Sequence, residues 1–258
     1  MRPKYKVADV LNKHQDQLDR ICDNTWISRT LHAIRKCRTA ELGAHVDVCD
    51  CCQGIHLSYN SCRNRHCPNC QGHKRAQWIK DRQEEVLEVP YFHVVFTIPH
   101  ELNRLSIVNP RLIYSTLFKA AWATLVGFAQ NPDYLGARLG MIALLHTWGQ
   151  NLQLHPHLHC IVPAGGVAEC GKWIKSKNKG TFLFPVKEMS RVFRAKFVAE
   201  LRKSKEPINQ KLFDDLFKKQ WVVFAKKPFK NTFSVIEYLG RYSHKVAISD
   251  YRIASIDH

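Results

Sequence analysis

LHPHLHCIV, running from Leu154 to Val162, places an imidazole at every second residue of an otherwise apolar stretch. In an extended strand successive side chains point to opposite faces, so His155, His157 and His159 share one face while Leu158, Cys160 and Val162 point into the core. A single strand histidine is more often a satisfied structural residue, but three in register make a ready metal site. The metallohydrolase pattern H-x-H-x-D-H competes for the same residues, yet Leu158, His159 and Cys160 leave no acidic side chain where that pattern needs one.

Just upstream lies a second strand candidate, LGMIALLHTW (Leu139 to Trp148). Two strands that adjoin this directly favour an antiparallel α+β sheet over a parallel βαβ array. YFHVVFTI (Tyr91 to Ile98), TFLFP (Thr181 to Pro185) and WVVFAKK (Trp221 to Lys227) read as further strands. Arg111 to Ala129, Val186 to Ser204 and Asn231 to Tyr242 read as helices. Towards the N-terminus, Val10, Leu11, Leu18 and Ile21 give Val7 to Cys22 the spacing of one amphipathic helix, and His73 to Val89 forms a charged helix that Pro90 ends. The domain boundary falls near residue 88, giving a helical and cysteine-rich domain over 1–88 and a catalytic domain over 89–258.

Eight of the 10 cysteines lie between Cys22 and Cys70, and hydrophobic periodicity disappears from Cys37 to Cys70. Without a secretory signal such a cluster favours metal over disulfides. Cys49-x-x-Cys52 followed by Cys67-x-x-Cys70 can supply four thiolates to one tetrahedral zinc. Cys51 competes with Cys52 as ligand, and the C-x-x-C rule favours Cys52. Interleaved with these, Cys37, His45, Cys62 and His66 could form a second zinc site, of Cys2His2 type, or His45 and His66 could be plain surface residues. Arg63, Arg65, Lys74 and Arg75 surround the block with positive charge, as a DNA-contacting zinc module requires.

The 258 residues are 45% hydrophobic and 10% aromatic, which excludes a disordered chain. Lys+Arg number 39 against 22 Asp+Glu, a formal net charge of +17 that points to a polyanionic partner. Between Lys172 and Lys245 stand 19 Lys and Arg but only 6 Asp and Glu, an excess suited to a surface that follows a phosphate backbone. No apolar run approaches the ~20 residues that span a bilayer, the longest being Ala120 to Ala129, and the polar N-terminus lacks a signal h-region. A cytoplasmic protein with no membrane partner is expected. No glycine-rich phosphate loop is present. In EYLGRYSHK, Tyr238 and Tyr242 stand at i and i+4 on one helical face beside Arg241, His244 and Lys245. Aromatic pairs at this spacing usually pack in a core, but the basic surroundings suit a phosphate and help lower a phenol pKa. Tyr251, on a strand-like run, reads as structural.

Taken together and in order, these segments resemble the HUH-endonuclease transposases of insertion-sequence family ninety-one, over nearly the whole chain. CRTAELGAHVDVCDCCQ and YNSCRNRHCPNCQ are similar to that family's N-terminal zinc-binding domain. PYFHVVFTIPHELN, HTWGQ, HPHLHCIVPAGG and EYLGRYSHKVAIS are similar to successive motifs of its catalytic domain. The resemblance implies a nuclease domain with a central antiparallel sheet, similar to an RNA-recognition-motif or palm fold and flanked by helices. His157 and His159 match the histidine pair that binds one Mg2+ or Mn2+. His155 is the third ligand that strand alternation favours, with Gln150, Gln153 or an acidic residue from elsewhere as alternatives. Tyr238 and Tyr242 match the paired nucleophiles of the two-tyrosine branch, which nick and rejoin DNA through a 5′-phosphotyrosine in rolling-circle transposition. Arg241 and Lys245 would contact the DNA, a single-stranded or hairpin element end. The chain stops at His258, soon after the tyrosine motif, where family members continue, so the nuclease domain reads as short. Two other readings stand beside this one: a zinc-dependent DNA-binding transposase remnant without catalysis, and a rolling-circle replication initiator or relaxase.

Overall fold

The structure is a computed structural model that describes residues 3–149, 151–177, 181–226, 229, 232–243, 246 and 248–257. The chain divides into two compact units, Met1–Arg82 together with Gly240–His258, and Gln83–Leu239. The boundary lies a few residues before 88, and the last residues group with the first unit instead of the second. A buried carboxylate accounts for that grouping: Asp250 accepts the backbone N–H of Val7 at 2.9 Å, tying the C-terminal turn to the start of the first helix.

In the first unit, α1 (Val7–Lys13) and α2 (Gln15–Ile21) replace the single helix expected from Val7 to Cys22. His14, at φ −103° and ψ 22°, leaves the helical region and breaks the run. Next comes α3 (Thr25–Lys36), whose N-terminus is capped by the Asn24 side chain accepting from the N–H groups of Trp26 and Ile27 at 2.9 and 3.3 Å. β1 (Ala44–Val48) and β2 (Ile55–Tyr59) then form an antiparallel hairpin, and α4 (Pro68–Gln83) follows, starting and ending earlier than the helix expected from His73 to Val89. The buried core of this unit is small: Ile34, Cys37, Cys67 and Cys70, with Val7, Leu11 and Cys62 packed against it.

The second unit is built on one antiparallel sheet in the order β4–β5–β3–β8, comprising β3 (Tyr91–Thr97), β4 (Ile142–Trp148), β5 (Leu154–Pro163) and β8 (Val222–Lys226). A small hairpin of β6 (Gly165–Val167) and β7 (Trp173–Lys175) follows the β5 strand. The helices are α5 (Asn103–Val108), α6 (Pro110–Gln130), α7 (Val186–Arg202), α8 (Gln210–Lys218) and α9 (Thr232–Ser243), of which Thr232 to Leu239 belong to this unit. Phe92, Val94 and Phe96 of β3, with Leu158, Cys160 and Val162 of β5, face a core built with α6 and α7; the Phe96 and Phe193 rings meet at 4.9 Å. TFLFP is not a strand. Leu183 and Phe184 are buried in irregular chain, with Phe184 against Phe128 at 5.5 Å between ring centroids, and Pro185 leads into α7. Tyr251 sits in a 3-10 turn and is exposed.

Contrary to the sequence expectation, α6 is 21 residues long and, by length and composition alone, apolar enough to cross a membrane. Its buried residues, including Ile113, Leu117, Ala121, Leu125 and Phe128, belong to the core of this unit, and α6 packs along α7. Its apolar character is thereby explained by packing. β6 is held as closely: a Cβ on Gly166 would lie 2.4 Å from the carbonyl oxygen of Arg138, and one on Gly165 2.4 Å from that of Ile174. Backbone cannot yield as a flexible side chain can, so Gly166→Ala is expected to cost about 1–3 kcal/mol, lowering the melting temperature by about 3–10 °C. A thermal melt that leaves Gly166→Ala within 1 °C of wild type would contradict this packing.

Candidate active site

In the first unit the structure brings together Cys37, Cys62, Cys67 and Cys70, whose sulfurs all lie within 4.8 Å of one another. Sγ of Cys70 is 3.6 Å from that of Cys37 and 3.7 Å from that of Cys62. A tetrahedron of zinc–sulfur bonds near 2.3 Å has edges of about 3.8 Å, so the four thiols match zinc in number, type and spacing. Burial alone would raise the Cys70 thiol, but donation from Cys37, Cys62 and Cys67 holds it below the usual thiol value. Burial pushes the Cys62 thiol up to about 11 and raises Cys67 as well. Such a group ionises fully only against a cation.

This grouping differs from both sets expected from spacing. Cys49 and Cys52 sit exposed at the tip of the β1–β2 hairpin, whereas Cys37 caps α3 and Cys62 follows β2 at its base. Five residues of strand at ~3.4 Å each carry the tip about 17 Å from the base. His45 and His66 are not among the cluster. His45 lies 3.4 Å from Asn60 Oδ1 and 3.7 Å from Asp47, and the His66 ring meets Trp26 edge-on at 5.6 Å. Cys51 is exposed beside Cys52. Among the described residues, then, one four-cysteine group forms and the Cys2His2 set does not.

In the second unit the histidines occupy the sheet face opposite the core. His157 and His159 of β5 converge with Nε2 atoms 3.1 Å apart, and the third member is His146 of β4. His146 pairs in register with His157, and antiparallel partners share a face. Its ring lies 4.6 Å from that of His159 and 5.3 Å from that of His157, and stacks on Trp148. His155 is exposed; its ring lies 5.2 Å from that of His157, outside the close group, while its carbonyl accepts from His157 Nδ1 at 2.6 Å. That bond places the His157 proton on Nδ1 and leaves Nε2 to ligate. His159 is set the same way, with Nδ1 2.8 Å from Nε2 of His93. Three imidazoles whose ring nitrogens lie within 4.8 Å of one another can hold a divalent metal and leave coordination positions open. Gln153 stands in the β4–β5 turn outside the group, and Gln150 lies outside the described residues.

Tyr238, on α9, brings its hydroxyl to 3.5 Å from Nδ1 of His93, with the two rings edge-on at 4.9 Å. His93 is buried, and burial, with Lys226 and His157 nearby, lowers it to about 4, so the ring is neutral at pH 7. Tyr242 lies one turn further along α9; its side chain and that of Arg241 lie outside the described residues, as does Lys245.

The chain matches two family models, "Transposase zinc-binding domain" over residues 10–98 and "Putative transposase" over residues 140–258. It is 44% identical to the "Putative transposase y4qJ" of Sinorhizobium fredii (strain NBRC 101917 / NGR234), across 98% of this chain and 68% of that protein. The chain belongs to the insertion-sequence family ninety-one of transposases. It is also 29% identical to the transposase for insertion sequence element IS801 of Pseudomonas savastanoi pv. phaseolicola, across 87% of this chain and 57% of that protein. A solved structure of the conjugative relaxase TrwC in complex with oriT DNA aligns over 43% of this chain and 42% of its own, at 15% identity and a TM-score of 0.36.

Within this transposase the four-cysteine group falls inside the matched zinc-binding domain, and His146, His157, His159 and Tyr238 fall inside the second matched region. Periodicity within one strand could not reach His146 or His93, because each stands on a neighbouring strand and is set by register. A signal was present for both: each is a histidine in an apolar strand candidate, HTW before β5 and YFHVV at β3. Arg63, Arg65, Lys74 and Arg75 are all exposed.

Proposed function

We propose that this transposase nicks and rejoins single-stranded or hairpin DNA at the ends of its mobile element through a phosphotyrosine formed by Tyr238. The observation that carries the reading is the placement of the Tyr238 hydroxyl beside His93, whose other nitrogen hydrogen-bonds His159 of the three-histidine group. Phenolate attack forms a bond from Tyr238 Oη to phosphorus and breaks the bond to the 3′ oxygen, which leaves and takes a proton from water. The product holds a 5′-phosphotyrosine and a free 3′-OH. Attack by a 3′-OH on that linkage reverses the step onto a new end without a nucleotide cofactor. Mg2+ or Mn2+ held by His146, His157 and His159 would polarise and orient the scissile phosphate. Cys37, Cys62, Cys67 and Cys70 would hold a structural Zn2+. Exposed Arg63, Arg65, Lys74 and Arg75 and the basic segment from Lys172 to Lys245 supply charge for the DNA backbone.

The test is a denaturing gel of end-labelled single-stranded terminal DNA incubated with the full chain and Mn2+ or Mg2+. A metal-dependent adduct is expected from wild type and from Tyr242→Phe, and none from Tyr238→Phe. Intact DNA that is bound but never cut or linked would mean a non-catalytic zinc-dependent binding protein instead. An all-imidazole ligand set favours first-row ions over Mg2+, which prefers oxygen, so the Mn2+ concentration giving half-maximal adduct is expected to lie about tenfold below that for Mg2+. Equal half-maximal concentrations would argue that oxygen ligands dominate the site.

A further inference from the structure

We infer that His93 is a positioning residue that couples the metal ligand His159 to the nucleophile Tyr238 through its two ring nitrogens. The inference rests on the nuclease reading above and adds a residue to it. Nε2 of His93 lies 2.8 Å from Nδ1 of His159, and Nδ1 of His93 lies 3.5 Å from the Tyr238 hydroxyl. The ring is held for this: His93 is 5% exposed, its ring lies nearly parallel to that of His159, 10° from it at 5.0 Å, and β3 pairs on both sides, with β5 and with β8.

Proton counting fixes the directions. To ligate through Nε2, where it faces His157, His159 must carry its proton on Nδ1, and that N–H has His93 Nε2 as its acceptor. With Nε2 occupied as an acceptor, the N–H of the His93 ring sits on Nδ1, which faces the Tyr238 oxygen. A donor there stabilises a phenolate over a phenol and holds one of its lone pairs, leaving the others for the phosphorus. His93 therefore does not take the phenol's proton, which leaves to water. The ring's tautomer links the two sites: orienting His159 for metal and presenting a donor to the nucleophile are one arrangement. A contact of 3.5 Å is long for a hydrogen bond, as catalytic contacts often are before substrate tightens them.

Glutamine and asparagine separate the two contacts. The Gln carboxamide reaches the place of Nε2 and that of Asn the place of Nδ1, so His93→Gln keeps an acceptor for His159 and His93→Asn keeps a donor for Tyr238. Two quantities are read on the full chain: Mn2+ affinity without DNA, by calorimetry, and the single-turnover rate of adduct formation at saturating Mn2+. His93→Gln is expected to bind Mn2+ within about threefold of wild type and to form adduct at least about tenfold more slowly. His93→Asn should show the opposite split, Mn2+ affinity weakened about 10- to 100-fold with a rate at saturating metal within a few-fold of wild type. His93→Ala should lose both. If Gln, Asn and Ala variants lose both quantities together in proportion to their melting temperatures, His93 is a packing residue and the inference fails. It fails equally if any of them retains both. Should wild type bind Mn2+ and yet form no adduct, the nuclease reading falls, while the affinity difference between Gln and Asn still decides the contact to His159.

Discussion

Cys70→Ser is expected to release the zinc proposed for the four-cysteine group and unfold the first unit, while Cys49→Ser leaves both intact. The size of the effect follows from how little else holds that unit. Among the described residues its buried apolar cluster comprises Ile34 and three of the four clustered cysteines, and apolar side chains of the hairpin, such as Val46 and Ile55, are exposed. Structural zinc supplies roughly 10–16 kcal/mol of apparent binding free energy to domains of this kind, more than a typical domain's whole stability. Removing one of four thiolates from a buried set leaves a site that no longer closes the tetrahedron. Zinc content by metal analysis and limited proteolysis within Met1–Arg82 give the readout: loss of zinc and rapid cleavage for Cys70→Ser, wild-type behaviour for Cys49→Ser. The reverse pattern, or equal loss in both, would restore the pairing of Cys49 and Cys52 with Cys67 and Cys70.

His159→Ala is expected to abolish metal-dependent adduct formation, by about 10³-fold or more, whereas His155→Ala stays within about threefold of wild type. In the proposed site His159 would ligate through Nε2, and its Nδ1 meets His93, so its loss removes one of three imidazoles and the partner that sets His93. A bound metal contributes several kcal/mol of charge stabilisation, and each 1.36 kcal/mol is tenfold in rate. His155, by contrast, offers His157 a backbone carbonyl, which alanine keeps. His146→Ala should behave like His159→Ala in its Mn2+ requirement. A His155→Ala variant as inactive as His159→Ala, with His146→Ala active, would return the third ligand to the β5 strand. Single-turnover rates at several Mn2+ concentrations decide between them.

The parts of the fold that were legible in the sequence are those governed by one element's own periodicity. Alternation along Leu154 to Val162 put Leu158, Cys160 and Val162 in the core, where they are fully buried, and kept His157 and His159 together on the other face. The adjoining strands β4 and β5 pair antiparallel, as their short connection required. What was not legible depends on register and on the course of the chain between elements. His146 joins His157 only because the β4–β5 register sets them opposite one another, and no spacing rule within β5 reports that. Four cysteines are gathered by the β1–β2 hairpin, which returns Cys62 to Cys37 and leaves Cys49 and Cys52 at its tip; the exposed apolar residues of that hairpin, such as Val46, Ile55 and Leu57, gave no core signal to find it by. TFLFP shows the converse error, an apolar run buried as irregular chain and not as strand.

The most direct measurement is the site of the covalent bond. Wild-type chain is incubated with single-stranded terminal DNA and Mn2+, the linked species is digested with nuclease and trypsin, and the nucleotide-bearing peptide is identified by mass spectrometry. Trypsin cuts after Lys230 and Arg241, so Tyr238 lies in the peptide Asn231 to Arg241 and Tyr242 in the separate peptide Tyr242 to Lys245. The nucleotide is predicted on Asn231 to Arg241, attached to Tyr238 through a 5′ phosphate and absent when His159 is alanine. Linkage confined to any other peptide, or cleavage of the DNA with no linked peptide at all, would contradict a tyrosine nucleophile held at the histidine site.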